Sequence, residues 1–179
     1  VTGALLLLLL AILLGGMLSI VVSTLRTGIS PMLTLSKVRR QLLSVIEPDL
    51  TGTILELGAG WGTLAFALAD RCPRAKVIAF EVSPLPWAFC WLRQRLAPRS
   101  NLELRRQDFF RASLAGASLV VCYLFPGAMS RLAPKLLAEL SPGTRILSHT
   151  FALRGWKPLR TLVVDDLYRT PIYLYERGP

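Results

Sequence analysis

Glu56 lies two places before the turn Gly58-Ala59-Gly60-Trp61-Gly62, Glu81 closes a second apolar run, and Asp108 follows a third strand-like stretch. Glycines let a backbone turn tightly and come close to a ligand. The run Thr53-Ile54-Leu55 precedes the turn, and Thr63 to Ala69 opens a helix after it. A strand, a glycine turn and a helix N-terminus together form a nucleotide-cofactor site. A carboxylate two places before the first glycine disfavours a pyrophosphate. It suits a ligand with a positive charge, such as the amino-acid end of S-adenosyl-L-methionine. Glu81, with Val82 beside it, can accept hydrogen bonds from both hydroxyls of a ribose. Asp108 can accept from an adenine amino group, and Phe109 can cover a ring face. Tyr123-Leu124-Phe125-Pro126 ends the next strand, where the sulfonium would lie.

Each group has a plainer role to set beside the chemical one. Glu81 or Asp108 can cap a helix or a turn. Tyr123 and Phe125 can be core aromatics. Trp61 fits either packing or a pocket wall. A glycine turn with a later acid also fits nicotinamide enzymes. Glu56, the G-x-G-x-G spacing, Asp108 and the lack of room for a second half-sheet favour S-adenosyl-L-methionine. The single histidine, His149, reads as a core or rim residue.

The elements that position these groups alternate. Strands are expected at 53–57, 76–80, 101–106, 118–124 and 145–151, with helices at 63–71, 84–96 and 128–140. Pro134 should kink or break the last helix. Two closing strands, 159–165 and 172–176, have no helix between them. This order predicts an α/β, Rossmann-like sheet, mainly parallel, with an antiparallel strand near the C-terminal edge. Ligands of such sheets bind outside the carboxyl ends of the strands, where all the candidate residues fall. Before the core, Leu35, Val38, Leu42, Leu43 and Ile46 recur at helical spacing up to Pro48.

Residues 3–22 carry no charge, and about 20 apolar residues suffice to cross a bilayer. A cleaved signal peptide would want a basic start and a small-x-small site. The segment is therefore read as a transmembrane anchor, residues 1–25. Residues 26–48 read as a linker with an amphipathic helix, and 49–179 as the catalytic domain. Arg26, Lys37, Arg39 and Arg40 follow the apolar run, which places that domain in the cytoplasm. The net charge of +10 then suits a lipid bilayer carrying anionic headgroups as a partner. Nucleic acid is not expected as a partner, since no RNA-binding array stands out. Arg93, Arg95, Arg99, Arg105, Arg106 and Arg111 read as a solvated face. Cys72, Cys90 and Cys122 match neither a disulfide framework nor a metal site, so no metal is expected.

The ordered set E-L-G-A-G-W-G-T-L, F-E-V-S-P-L-P-W, Q-D-F-F, C-Y-L-F-P-G-A-M and D-D-L-Y-R-T-P-I-Y-L-Y resembles a group of membrane-anchored class I methyltransferases. Their mitochondrial members methylate lysines of the adenine nucleotide translocase and of the ATP synthase c-subunit; this chain is similar to them as a bacterial relative. The resemblance implies that Glu56, Gly58, Ala59, Gly60, Trp61 and Gly62 hold the methionine part of the cofactor. It gives Glu81 the ribose and Asp108 the adenine, and it sets Tyr123, Phe125 and Pro126 where the methyl acceptor enters. Pro31, Met32 and Thr34 would belong to a lid over the site. Glu56 departs from the aspartate common in relatives. Tyr-Leu-Phe-Pro is not the Asn-Pro-Pro-Tyr loop of amide and adenine methyltransferases. The implied activity is methylation of lysines on a membrane-protein substrate. A lipid or quinone methyltransferase and a non-catalytic cofactor-binding membrane protein are the alternatives.

Overall fold

The computed structural model describes residues 2–27 and 34–179. Pro31 and Met32 of the expected lid lie outside the described residues, and Thr34 lies within them. The first helix, α1 (Thr2–Thr27), covers the uncharged segment. Its span Gly3–Val22 is long and apolar enough to cross a membrane, and none of the described residues of that span is buried inside the molecule. The short helix α2 (Ser36–Ser44) follows and buries Val38 and Leu42.

The core alternates as the apolar runs require: β1 (Gly52–Leu57), α3 (Thr63–Arg71), β2 (Ala75–Phe80), α4 (Pro84–Leu96), β3 (Leu102–Arg105), β4 (Ala117–Cys122), α5 (Pro126–Glu139), β5 (Arg145–His149), β6 (Arg160–Val163) and β7 (Pro171–Glu176). These strands form one sheet in the order β3-β2-β1-β4-β5-β7-β6. The first five run parallel. β7 enters antiparallel to β5, and β6 pairs antiparallel to β7.

Side chains alternate across a strand, so each central strand feeds two cores. Ile54, Leu119, Val121 and Leu147 pack with α2, α3 and Cys90 of α4 on one face. Leu55, Leu57, Val120 and Ile146 pack with α5, Leu114 and Tyr175 on the other. Neither cluster contains a described residue of α1.

Most strand and helix ends shift by one or two residues, with β4 ending at Cys122 and β6 at Val163, and two differences have a clear cause. The helix α5 runs through Pro134 as one element. Leu132, Ala133 and Leu136 are buried around the proline, so packing offsets the one hydrogen bond that proline removes. Strand β5 ends at His149, short of Phe151, because Thr150 takes a left-handed backbone (φ 69°).

Candidate active site

The site is assembled at the carboxyl ends of β1, β2, β4 and β5. Gly58, Gly60 and Gly62 all have positive φ (84°, 55° and 72°), a region that an L side chain rarely adopts. Gly62 also has no room for a side chain. A Cβ there would lie 2.7 Å from Cys90 Sγ and 3.1 Å from the Phe66 ring. A Cβ on Gly58 would lie 3.1 Å from Leu124, so the turn is fitted closely against the end of β4. Ala59 is buried in the first cluster, and its amide donates to the Phe80 carbonyl at the end of β2.

Glu81 sits beneath this turn. One oxygen accepts from the Gly60 amide at 2.7 Å and the other from the Ser83 amide at 2.7 Å. Each oxygen keeps further acceptor capacity. Val82, between the two, is exposed. Glu56 is buried nearby, and its Oε2 has no hydrogen-bond partner. Burial, with the Glu81 charge adding to it, holds the Glu56 carboxyl well above the usual carboxylate range. Burial likewise pushes the Cys90 thiol up to about 12, so Cys90 is packing and not a nucleophile.

Asp108 stands one strand further along and caps the short 3-10 turn Phe109–Arg111, accepting from the Phe110 amide at 2.9 Å. Phe109 is buried in the second cluster, and its ring lies 4.4 Å from that of Phe110. Trp61 meets Phe89 of α4 edge-on, with ring centroids 5.6 Å apart.

The other half of the site is aromatic. Cys122 and Ser148 are register partners, so the next residues, Tyr123 and His149, emerge side by side. Their rings stack at 4.0 Å, and Phe151 is stacked beyond Tyr123 at 6.4 Å. Burial lowers the His149 pKa to about 4, so the ring is neutral at ordinary pH. Its Nδ1 lies 3.1 Å from Thr150 Oγ1, and Nε2 lies 3.5 Å from Thr34 Oγ1. Phe125 is partly exposed at the start of α5, with Pro126 opening the helix. The Phe125 ring covers Gly127, where a Cβ would stand 2.6 Å from it.

His149, Phe151 and Gly127 were not among the residues expected from the sequence. A histidine at the end of a strand is a weak signal. Strand order and register are what bring it against Tyr123.

The model of the ANTKMT methyltransferase domain matches residues 56–160. A protein-lysine N-methyltransferase of Saccharolobus islandicus is 29% identical over 155 residues, covering 81% of this chain and 91% of that protein. The adenine nucleotide translocase lysine N-methyltransferase of Mus musculus is 30% identical over 112 residues, 60% of this chain. The match covers 47% of the mouse protein, so the chain accounts for about half of that relative's length. Among solved structures, an RNA methyltransferase from Salinibacter ruber in complex with S-adenosyl-L-homocysteine superposes with a TM-score of 0.74. It is 28% identical and covers 82% of this chain and 94% of that one.

Proposed function

The chain belongs to the family of the ANTKMT methyltransferase domain, and from that premise we propose that it methylates lysine side chains of a membrane-associated protein. The methyl donor is S-adenosyl-L-methionine. Glu56 carries this reading: its buried oxygen has no partner, and burial with the Glu81 charge beside it penalises its charged form until a cation pairs with it. An ammonium group supplies both a hydrogen-bond donor and the opposite charge, which is what the methionine end of the cofactor offers. Glu81 would take the ribose with its remaining acceptor capacity. Gly58, Gly60 and Gly62 would pass the ligand on bare backbone. Asp108 would meet the adenine, with Val82 and Phe109 near the ring and Trp61 at the outer wall.

When bound, the cofactor supplies an electrophilic methyl on a sulfonium and departs as a neutral thioether. The protein therefore has no leaving group to protonate, and its work is orientation and exclusion of water. A lysine amine has a reference pKa of ~10.4 and must be neutral to attack. An apolar mouth lowers that value by penalising the charged form. Tyr123, Phe125 and Phe151 would supply the mouth, with Pro126 fixing its rim. The backbone carbonyls around Leu124 would aim the lone pair. His149, with its pKa near 4, is too weak a base to hold the amine's proton; it braces the Tyr123 ring. The proton is lost to solvent before attack. The mouth would then hold the neutral amine in line with the methyl group and keep water away from it.

The organisation proposed with it is an anchor over residues 1–25, a linker and amphipathic helix over 26–48, and a catalytic domain over 49–179 in the cytoplasm. The uncharged span Gly3–Val22 of α1 and the basic residues after it support this arrangement. The names of the archaeal and mouse relatives support lysine as the acceptor.

The test uses membranes from a strain lacking the gene, the purified protein and methyl-labelled S-adenosyl-L-methionine. Glu81→Ala serves as the control. Protein, lipid and RNA are then separated. Label on lysines of a membrane protein is the expected result. Label in lipid would transfer the reading to an amphiphilic small substrate, and label in RNA to the activity named for the Salinibacter relative.

A further inference from the structure

We infer that the outer face of α4 is a bilayer-docking surface, which seats the cofactor turn at the anionic leaflet of the membrane that α1 enters. The inference rests on the membrane reading of α1 and not on the identity of the methylated residue.

The helix α4 is apolar on both sides. Its inner side is accounted for, since Pro86 and Cys90 are buried beneath it. The outer side carries Leu85, Phe89, Leu92 and Leu96 at intervals of three to four residues, one stripe of a helix. Leu85, Phe89 and Leu92 expose 37%, 48% and 51% of their surface, and Leu96 exposes 78%. Trp91 flanks the stripe and is 44% exposed. A soluble domain has no reason to present so continuous an apolar strip to water.

Three further observations identify the occupant. First, α1 runs alongside α4. A Cβ on Gly16 would stand 3.6 Å from Leu85, so the stripe continues from the apolar surface of α1. Second, α4 carries two arginines, Arg93 and Arg95, and no acid, whereas Arg99 beyond its end is already paired with Asp70. The Arg95 guanidinium lies over the Trp91 ring at 4.9 Å, and Arg95 has no ion-pair partner among the described residues. An exposed tryptophan capped by an arginine, on an apolar helix face, suits the headgroup boundary of an anionic leaflet. Third, Phe89 meets Trp61 of the glycine turn. A bilayer that seats α4 therefore also touches the wall of the cofactor site. It would meet membrane-bound acceptors there at high effective concentration.

The test uses the full chain in vesicles of phosphatidylcholine and phosphatidylglycerol with bromine atoms on the acyl chains. Bromine quenches the fluorescence of tryptophans at the depth it occupies. Wild type should lose emission relative to unbrominated vesicles. Trp91→Phe should remove a clear part of the quenched component, leaving the part contributed by Trp61, and Trp156→Phe, on the opposite face of the sheet, should leave the quenched component unchanged. Arg95→Glu, or vesicles of phosphatidylcholine alone, should reduce the quenching that depends on Trp91. Flotation with the vesicles reads the anchor, and calorimetry with the cofactor reads the methyltransferase site, both independently of quenching. A chain that floats and binds cofactor with quenching unchanged by Trp91→Phe overturns the inference. So does a chain that does not float. Particles holding two copies with Trp91 shielded from bromine would assign the face to a second copy and overturn it as well.

Discussion

At the scale of single residues, the site is governed by how burial changes protonation. Glu56 is a carboxyl held above its ordinary pKa. A group whose folded-state pKa is raised adds stability below its unfolded pKa and loses that stability as the pH rises through the folded value. Glu56→Gln keeps the shape and removes the charge. Its melting temperature without cofactor should therefore fall less than that of wild type as the pH is raised above the ordinary carboxylate range. Its cofactor affinity should fall about ten-fold or more, as expected for losing a hydrogen bond to a charged group. Thermal scans across pH and calorimetry check the two halves. His149 has the opposite sign. Its pKa is depressed to about 4 in the folded protein, against about 6.5 when unfolded. The unfolded chain then binds more protons between those values, so stability falls as the pH drops through that window, by about 3 kcal/mol at most. His149→Phe should flatten the fall between pH 6.5 and 4. An unflattened curve would show that other groups control it.

At the scale of elements, the glycine turn is the part most sensitive to added volume. Gly62→Ala forces a left-handed backbone onto alanine and drives a methyl into Cys90 and Phe66. A loss of about 2–4 kcal/mol is expected by denaturant unfolding, from conformation and overpacking together. Gly116 has a similar φ of 77° but open space around it. Gly116→Ala should cost about 1 kcal/mol. Equal losses at both positions would mean that the contact with Cys90 yields freely. The arginines between β2 and β4 also act at this scale. Only part of that set is a simple solvated face. Arg93 lies over the Phe66 ring at 4.0 Å, and Arg99 is bridged to Asp70.

At the scale of the whole molecule, neither core contains a described residue of α1, so the sheet closes without it, and the proposed anchoring gives α1 the role of location. A chain starting at Thr34 should bind cofactor with unchanged affinity. Its turnover on a membrane-embedded acceptor should fall by ~100-fold, since tethering acts through effective concentration. Turnover on a soluble peptide carrying the same lysine should stay the same. Equal loss on both acceptors would mean that α1 shapes the site itself.

Features that depend on neighbours along the chain are legible in the residues themselves. The glycine turn, the acid at the end of β2, the limits of α3 and α4 and the order of strands and helices follow from residue type and period, because hydrogen bonding and side-chain direction within an element are local. The family was legible for the same reason: its motifs are short and keep their order. Other features depend on segments far apart in the chain. Tyr123 lies against His149 only because β4 and β5 pair in one register. Thr34 reaches His149 across 115 residues. Phe89 meets Trp61 only because α4 lies beside the turn. The raised pKa of Glu56 and the unbroken course of α5 through Pro134 were likewise decided by tertiary packing. Burial and register arise from the closed sheet, and no local run of residues contains them.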